Sequence, residues 1–273
     1  MTARPKLLLL DGTSVVRRVY EAVPGDKTPG RLDGVLQATM HSIMRSLKEH
    51  QPTHFLGAFD AGGPTWRHGL MPTFKLNAPK MDPELREAMP TLFDRMSEHG
   101  FAWVCAPGVE ADDVIGTIGV KAYQRGFDVI VASNDIDMCA LLEHGLSVYG
   151  HFSKEWRGVD WLSRVHGISP QQVPDYLALI GDDRKNIPGV RGIGSTRAKG
   201  LLNQYGDLES IIQNASELPG KHCYLIERLG DELRLSRDVL RLKLDVPVSI
   251  KPAELALPNR PREARPARVP TEA

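Results

Sequence analysis

The sequence has no charge of one sign in excess: 34 Lys and Arg balance 34 Asp and Glu over 273 residues. Without a global basic field, any contact with a polyanion must come from local patches. Cysteine is scarce. Cys105, Cys139 and Cys223 form no C-x-x-C pair, and three is an odd number. That excludes a disulfide framework and a thiolate zinc site, and leaves each as a small buried apolar residue. No apolar run approaches membrane-spanning length. The run after Met1–Lys6 stops at Asp11, too short for the core of a secretory signal. Internal repeats and coiled-coil heptads are absent. These absences predict a soluble protein of a reducing, cytoplasmic compartment with no membrane contact. The 41% hydrophobic and 25% charged residues are ordinary globular proportions, enough for one large domain or one domain with an appendage.

Acids stand where strands end. The run Lys6–Leu10, closed by Asp11 and Gly12, predicts a central strand of a parallel sheet covered on both faces. His54–Phe59, closed by Asp60, repeats the pattern. Asp128–Ala132 repeats it again, with Asp135 and Asp137 just beyond. Phe101–Val104 and Leu146–Tyr149 are shorter candidate strands. Helical periodicity fills the intervals at Leu32–Glu49, Glu84–His99 and from Ala111 through Val114, Ile118 and Ala122. Strand–helix alternation of this kind predicts a parallel α/β sheet with right-handed crossovers. Ligands bind beyond the carboxyl ends of such strands, so the strand-end acids occupy a functional edge, although a helix N-cap explains any one of them singly.

The densest acidic stretch is Glu110-Ala111-Asp112-Asp113, three carboxylates within four residues. Alone it fits either a solvated helix start facing the positive end of the helix dipole or a ligand set for a cation. A basic stretch with aromatics, Trp66-Arg67-His68 and Phe74-Lys75, lies between the second and third strands. It suits either a phosphate-holding loop or a solubilising surface.

From Val159 the pattern turns mainly helical. Ser169-Pro170-Gln171-Gln172 is a helix start with a capping residue and Pro at the first position. The Gly-rich turn Asn186–Gly194 opens a helix at Ser195, followed by Arg197 and Lys199, which makes a physically sound phosphate cradle. With the next helix, after Gly206-Asp207, it forms a helix-hairpin-helix arrangement that grips backbone phosphates without reading bases. The Pro-, Arg- and Ala-rich tail from Pro258 to Ala273 has almost nothing to bury and is expected to be disordered.

Collected, the acids are Asp11, Asp60, Glu110, Asp112, Asp113, Asp135, Asp137 and Asp182. An all-oxygen set suits Mg²⁺ or Mn²⁺. Two such ions about 4 Å apart can activate a water and stabilise both oxygens of a phosphodiester displacement. With the cradle downstream, the sequence points to metal-dependent cleavage of nucleic acid.

The order of motifs resembles the 5′-3′ exonuclease and flap endonuclease family, which includes the 5′-nuclease domain of bacterial DNA polymerase I. Asp11-Gly12, Phe59-Asp60, Arg67, Phe74-Lys75, Gly108-x-Glu110-Ala111-Asp112-Asp113, Asp135-x-Asp137, Gly181-Asp182 and Asn186–Gly194 carry the resemblance, over roughly Leu7 to Leu240. The short chain is most similar to the stand-alone exonuclease IX (Xni) branch. The resemblance implies a PIN-like α/β nuclease core over 1–158, with a helical arch at about 61–90. It further implies a helix-three-turn-helix subdomain over 159–257, then the tail 258–273. It implies that Asp11, Asp60, Glu110, Asp112 and Asp113 surround a tightly held Mg²⁺ or Mn²⁺, and that Asp135, Asp137 and Asp182 hold a second. Arg67 and Lys75 would contact the scissile phosphate or 5′ strand. Ile187, Val190, Gly192, Ile193, Gly194, Ser195, Arg197 and Lys199 would bind K⁺ and the duplex backbone. The implied activity is structure-specific hydrolysis of DNA at 5′ flaps, overhangs and ends by a monomer.

Two departures stand out. Lys185 occupies a position where the family pattern has a carboxylate, and an ammonium there can pair with Asp182 or Asp135 and weaken the second metal, with Asp183 as a compensating acid. The arch has Phe74-Lys75-Leu76-Asn77-Ala78 where the family has Tyr-Lys-x-x-Arg. A DNA-binding protein with weakened or lost catalysis is therefore the competing expectation; a phosphatase of small phosphoesters would leave the hairpin without a purpose.

Overall fold

Five parallel strands form the centre: β1 (Lys6–Asp11), β2 (His54–Asp60), β3 (Ala102–Ala106), β4 (Asp128–Ala132) and β5 (Ser147–Tyr149), in the order β3-β2-β1-β4-β5. The computed structural model describes residues 4–24, 29–218 and 221–258. Leu8 registers with Phe55 on one side and Ile130 on the other, so β1 is the middle strand. Its four leucines are essentially fully buried. The period of two sends Leu8 and Leu10 to one face and Leu7 and Leu9 to the other, each into a separate apolar cluster. This is why β1 reads as an unbroken apolar run rather than an alternating one.

The face of Leu8 and Leu10 is covered by α1 (Gly12–Ala22), α2 (Pro29–His50) and α4 (Pro83–Glu98). The opposite face is covered by α5 (Ala111–Gln124) and, beyond it, the C-terminal helices. Between β2 and α4 lie the short α3 (Trp66–Leu70) and a run of turns. The C-terminal helices are α6 (Val159–His166), α7 (Val173–Ile180), α8 (Ser195–Tyr205), α9 (Leu208–Gln213), α10 (Lys221–Arg228), α11 (Gly230–Leu240) and α12 (Pro252–Leu255). The expected helix start at Ser169 is capped: Ser169 N–H donates to Gln172 Oε1 at 2.9 Å.

Chain direction across the sheet reverses at β1. Strands β2 and β3 build outward on one side, β4 and β5 on the other. A crevice therefore opens at the carboxyl ends of β1 and β4. Asp11 ends β1, Asp60 ends β2, and Asp135 follows β4. Gly12 has a packing reason: a Cβ there would meet the Phe59 ring at 2.4 Å. The pairing of Asp11-Gly12 with Phe59-Asp60 thus follows from how β1 and β2 close on each other.

Residues on both sides of the expected boundary at 158/159 share apolar packing. One apolar cluster runs from Leu9 and Ile115 through Leu177 and Leu179 to Val190, Leu202, Ile211 and Val239. The arch region expected at about 61–90 carries α3 and turns before α4. Its base is fastened to the loop after α7: Lys75 N–H donates to the Lys185 carbonyl at 3.0 Å. Asn186 Nδ2 donates to the Thr73 carbonyl at 2.9 Å and Asn77 Nδ2 to Asn186 Oδ1 at 3.1 Å. Among the described residues no helix is long and apolar enough to cross a membrane. Residues 259–273 of the expected disordered tail lie outside the described residues.

Candidate active site

The crevice is a cleft of about 610 Å³ lined by Asp11, Asp60, Asp112 and Asp135, with Lys75 and Lys185 among its walls. Each acid is fixed by its element. Asp11 is buried and caps α1, with Oδ1 accepting from Ser14 N–H at 3.0 Å. Its Oδ2 accepts from Ser133 Oγ at 3.0 Å, and the same Oγ accepts from Asp135 N–H at 3.2 Å. Asp60 Oδ1 accepts from Ala111 N–H, the first residue of α5, at 2.8 Å, while its own N–H donates to Thr13 Oγ1 at 2.7 Å. Glu110 is the N-cap of α5. Its Oε1 meets Lys75 Nζ at 2.5 Å and its Oε2 lies 3.3 Å from Arg67 Nη1.

The electrostatics of the cleft follow from its crowded carboxylates. Burial pushes Asp11 up to about 6, and the facing charges of Asp60 and Asp135 add to it, against the opposing bonds from Ser14 and Ser133. Asp112 is driven well above the usual carboxylate range by burial, then by Asp11 and Asp135. Asp135 is pulled the other way: burial raises it, but Lys185, Arg184 and Lys75 together outweigh that and hold it low. Crowded, desolvated carboxylates whose ionised form is disfavoured would be relieved by a cation. The donors are all carboxylate oxygen, which fits a hard divalent ion. Among the described residues, however, no three His, Cys, Asp or Glu side chains are drawn together tightly enough to hold an ion as they stand.

Two expected site residues, Asp113 and Arg67, do not line the cleft. Asp113 is fully buried and does not line the cleft. Its Oδ2 accepts from Arg67 Nη1 at 2.6 Å and Trp66 Nε1 at 2.9 Å, and its Oδ1 from Arg67 Nη2 at 2.8 Å and Lys243 N–H at 3.0 Å. Arg67, expected on the phosphate, is 3% exposed. Its remaining donors reach the carbonyls of Val239 at 2.8 Å and Arg241 at 3.3 Å. It clamps α3, the start of α5 and the segment after α11 together. In sequence, a basic residue near a phosphate path looks the same whether its partner is a ligand or a buried acid 46 positions away.

Around the second expected metal position the arrangement also differs. Lys185 is buried at 6% exposure. Its Nζ contacts Asp137 Oδ2 directly and lies 3.8 Å from Asp135 Oδ2. Burial opposes its charge, but Asp137, Asp135 and Asp112 outweigh that and hold it above the usual lysine range. The expected pairing with Asp135 is present; Asp137 is the closer partner. Asp182 is not one: its Oδ1 caps the turn, accepting from Arg184 N–H at 2.9 Å and Lys185 N–H at 3.2 Å.

In the hairpin, the side chains of Ile187, Val190 and Ile193 are buried, so these residues can meet a ligand only through their backbone. Gly194, Ser195, Arg197 and Lys199 are exposed at the start of α8. The Gly192 carbonyl accepts from Arg197 Nη1 at 2.6 Å. Ser133 and Thr13 are positioning groups that the sequence reading missed. Their one signal is place: Ser133 follows β4 as Asp11 closes β1.

Comparison with known proteins fits this geometry. Residues 6–166 match the 5′-3′ exonuclease N-terminal resolvase-like domain and residues 168–263 the 5′-3′ exonuclease C-terminal SAM fold. The chain belongs to the 5′-3′ exonuclease family. Within it, flap endonuclease Xni of Salmonella heidelberg is 33% identical over 242 residues, covering 88% of this chain and 93% of that protein. DNA polymerase I of Bacillus subtilis is 32% identical over 271 residues, 96% of this chain, but the chain spans only 31% of the polymerase's length. Among solved structures, T5 5′-exonuclease with bound divalent zinc superposes with a TM-score of 0.72 at 22% identity, over 87% of this chain and 90% of that one. A T5 flap endonuclease in a pseudo-enzyme-product complex with DNA and metal ions gives 0.73 at 22% identity, over 87% and 89%. The α/β core with its C-terminal helical region is thus the exonuclease-family fold.

Proposed function

We propose that this 5′-3′ exonuclease family member is a structure-specific, divalent-metal-dependent 5′ nuclease. It hydrolyses DNA phosphodiesters at 5′ flaps, overhangs and ends. The carrying observation is the convergence of Asp11, Asp60, Asp112 and Asp135 on one cleft at the strand-order reversal, with two of them resisting ionisation. Asp11, Asp60, Glu110 and Asp112 would hold one Mg²⁺ or Mn²⁺, with Asp135 at its edge. When bound, that ion supplies Lewis-acid polarisation of the phosphodiester and acidification of a water. Ser133 orients Asp11 and positions Asp135. Lys75, paired with Glu110 on the cleft wall, offers its ammonium to a phosphate oxygen where negative charge develops. Arg17, Arg18, Lys80 and Arg184 also line the cleft and give it a basic rim suited to a 5′ strand.

The start of α8 serves the duplex. Gly194 and Ser195 offer backbone amides, with Arg197 and Lys199 beside them, to phosphates. K⁺ at the 186–195 turn belongs to the same reading, and the Gly192 carbonyl becomes available to it only when Arg197 turns away. Residence in the cytoplasm as a monomer completes the reading. It accords with three cysteines that form no motif.

The second reading, flap binding without turnover, is favoured by Lys185 and by the altered arch at Phe74-Lys75-Leu76-Asn77-Ala78. Both are tested by one comparison: a labelled 5′-flap duplex, the same duplex without a flap, and the free strand, in Mg²⁺ and then Mn²⁺. Preferential cleavage of the flap supports the nuclease. Salt-sensitive flap binding with no product in either metal supports the binding protein.

A further inference from the structure

Lys185 stands among Asp135 and Asp137, acids that the family resemblance implies for a second divalent ion, and this arrangement does not fit such an ion. Asp137 is 5% exposed and its Oδ2 is taken by the Lys185 ammonium. Asp135 Oδ2 is 3.8 Å from the same nitrogen. The third expected ligand, Asp182, has turned an oxygen back to cap its own turn. A divalent ion would have to displace a buried ammonium tethered to the chain.

The tether is stiff. The loop from Gly181 to Gly189 is closed by paired backbone bonds, Asp182 N–H to the Ile187 carbonyl and Ile187 N–H to the Asp182 carbonyl, both 2.9 Å. Gly181 and Gly189 have φ of +83° and +62° and pass so close that a Cβ on Gly189 would meet Gly181 N at 2.5 Å. Asn186, itself at φ +58°, is held to Thr73 and Asn77. The Lys185 side chain therefore reaches Asp137 from a fixed base, with little entropy left to lose.

We propose that the Lys185 ammonium is a resident cation that replaces the second divalent metal ion, so that the chain binds a single divalent ion, at the Asp11–Asp60–Asp112 cleft. Lys185 is then a positioning residue. It holds Asp135 and Asp137 in place and neutralises them without exchange with solvent. The Lys185 carbonyl, which accepts from Lys75 N–H, fixes the lysine that faces the phosphate in the same stroke. Charge bookkeeping agrees: Lys185→Asp changes the local charge by two units, the charge of one divalent ion.

The inference rests on the one-ion cleft described above, and its test does not depend on catalysis. Mn²⁺ alone is titrated into the full chain and bound ion counted by electron paramagnetic resonance. The expected result is one Mn²⁺ per chain, lost in Asp112→Asn and unchanged in Asp137→Asn, and two per chain in Lys185→Asp. Two ions in the wild type with one lost in Asp137→Asn would overturn the proposal, as would a folded Lys185→Asp protein that still binds one. Should Lys185→Asp fail to fold, the wild type and Asp137→Asn decide alone. A chain that binds one Mn²⁺ yet cleaves no DNA would defeat the nuclease reading and leave this one standing.

Discussion

Arg67 and Asp113 form a bidentate pair, with Nη1–Oδ2 at 2.6 Å and Nη2–Oδ1 at 2.8 Å, in a place where the arginine is 3% exposed and the aspartate not at all. Removing one partner of such a pair strands a buried charge. Arg67→Ala should cost about 3–5 kcal/mol of stability, whereas Arg67→Met with Asp113→Leu should recover much of it. Denaturant unfolding of the three proteins checks this. A loss under about 1 kcal/mol in the single variant would show that the clamp carries little.

A second expectation separates the neighbours Asp112 and Asp113. In the metal-free protein Asp112→Asn should raise stability, because burial and the charges of Asp11 and Asp135 oppose its ionised form. Asp113→Asn should lower it. Thermal melts in a chelator, then in Mg²⁺, read both effects, and Mg²⁺ should stabilise the wild type more than the Asp112→Asn protein.

Ser133 gives a third. It is 1% exposed and bridges Asp11 Oδ2 and Asp135 N–H. Ser133→Ala should weaken divalent-ion affinity by about 10–100-fold, the usual effect of losing a group that orients a ligand. Mn²⁺ titration checks it. Unchanged affinity would mean that Asp11 is held by Ser14 alone.

The pH dependence of folding should carry the mark of His151. It is 2% exposed, its Nε2 is 2.8 Å from Ser42 Oγ, and burial, reinforced by Lys154, His50 and Arg45 against Glu49, pushes it down to about 4. The folded protein thus binds this proton more weakly than the unfolded chain at 6.5. The contribution is complete above that pH and is lost as pH falls toward 4. Between pH 7 and 5 the loss should be about 2 kcal/mol. His151→Gln should flatten the curve over that interval when unfolding is followed in denaturant.

Much of this was legible in the sequence, and the part that was not has a physical cause. The strands showed because β1 and β4 are covered on both faces and so read as apolar runs. The strand-end acids showed because chain direction alone puts Asp11, Asp60 and Asp135 at one edge. The opposite fates of Asp112 and Asp113 were hidden. Successive helix positions differ by about 100°, so adjacent acids at the start of α5 face different surroundings. What lies on each side is decided by Arg67 and Lys243, 46 and 130 residues distant. The pairing of Lys185 was half visible. Asp135 was foreseen, but Asp182 looked equally near until its oxygen proved to be a turn cap.

The proposed chemistry is cleavage of DNA at the cleft of Asp11, Asp60 and Asp112 with a divalent ion. Its most direct test is the single-turnover rate of 5′-flap cleavage in Mg²⁺ for the wild type and Asp112→Asn, with folding of the variant confirmed by its melt. The predicted result is cleavage that stops on chelation and falls at least about 100-fold in the variant. Equal rates in the two proteins, or a wild-type rate indifferent to chelator, would contradict it.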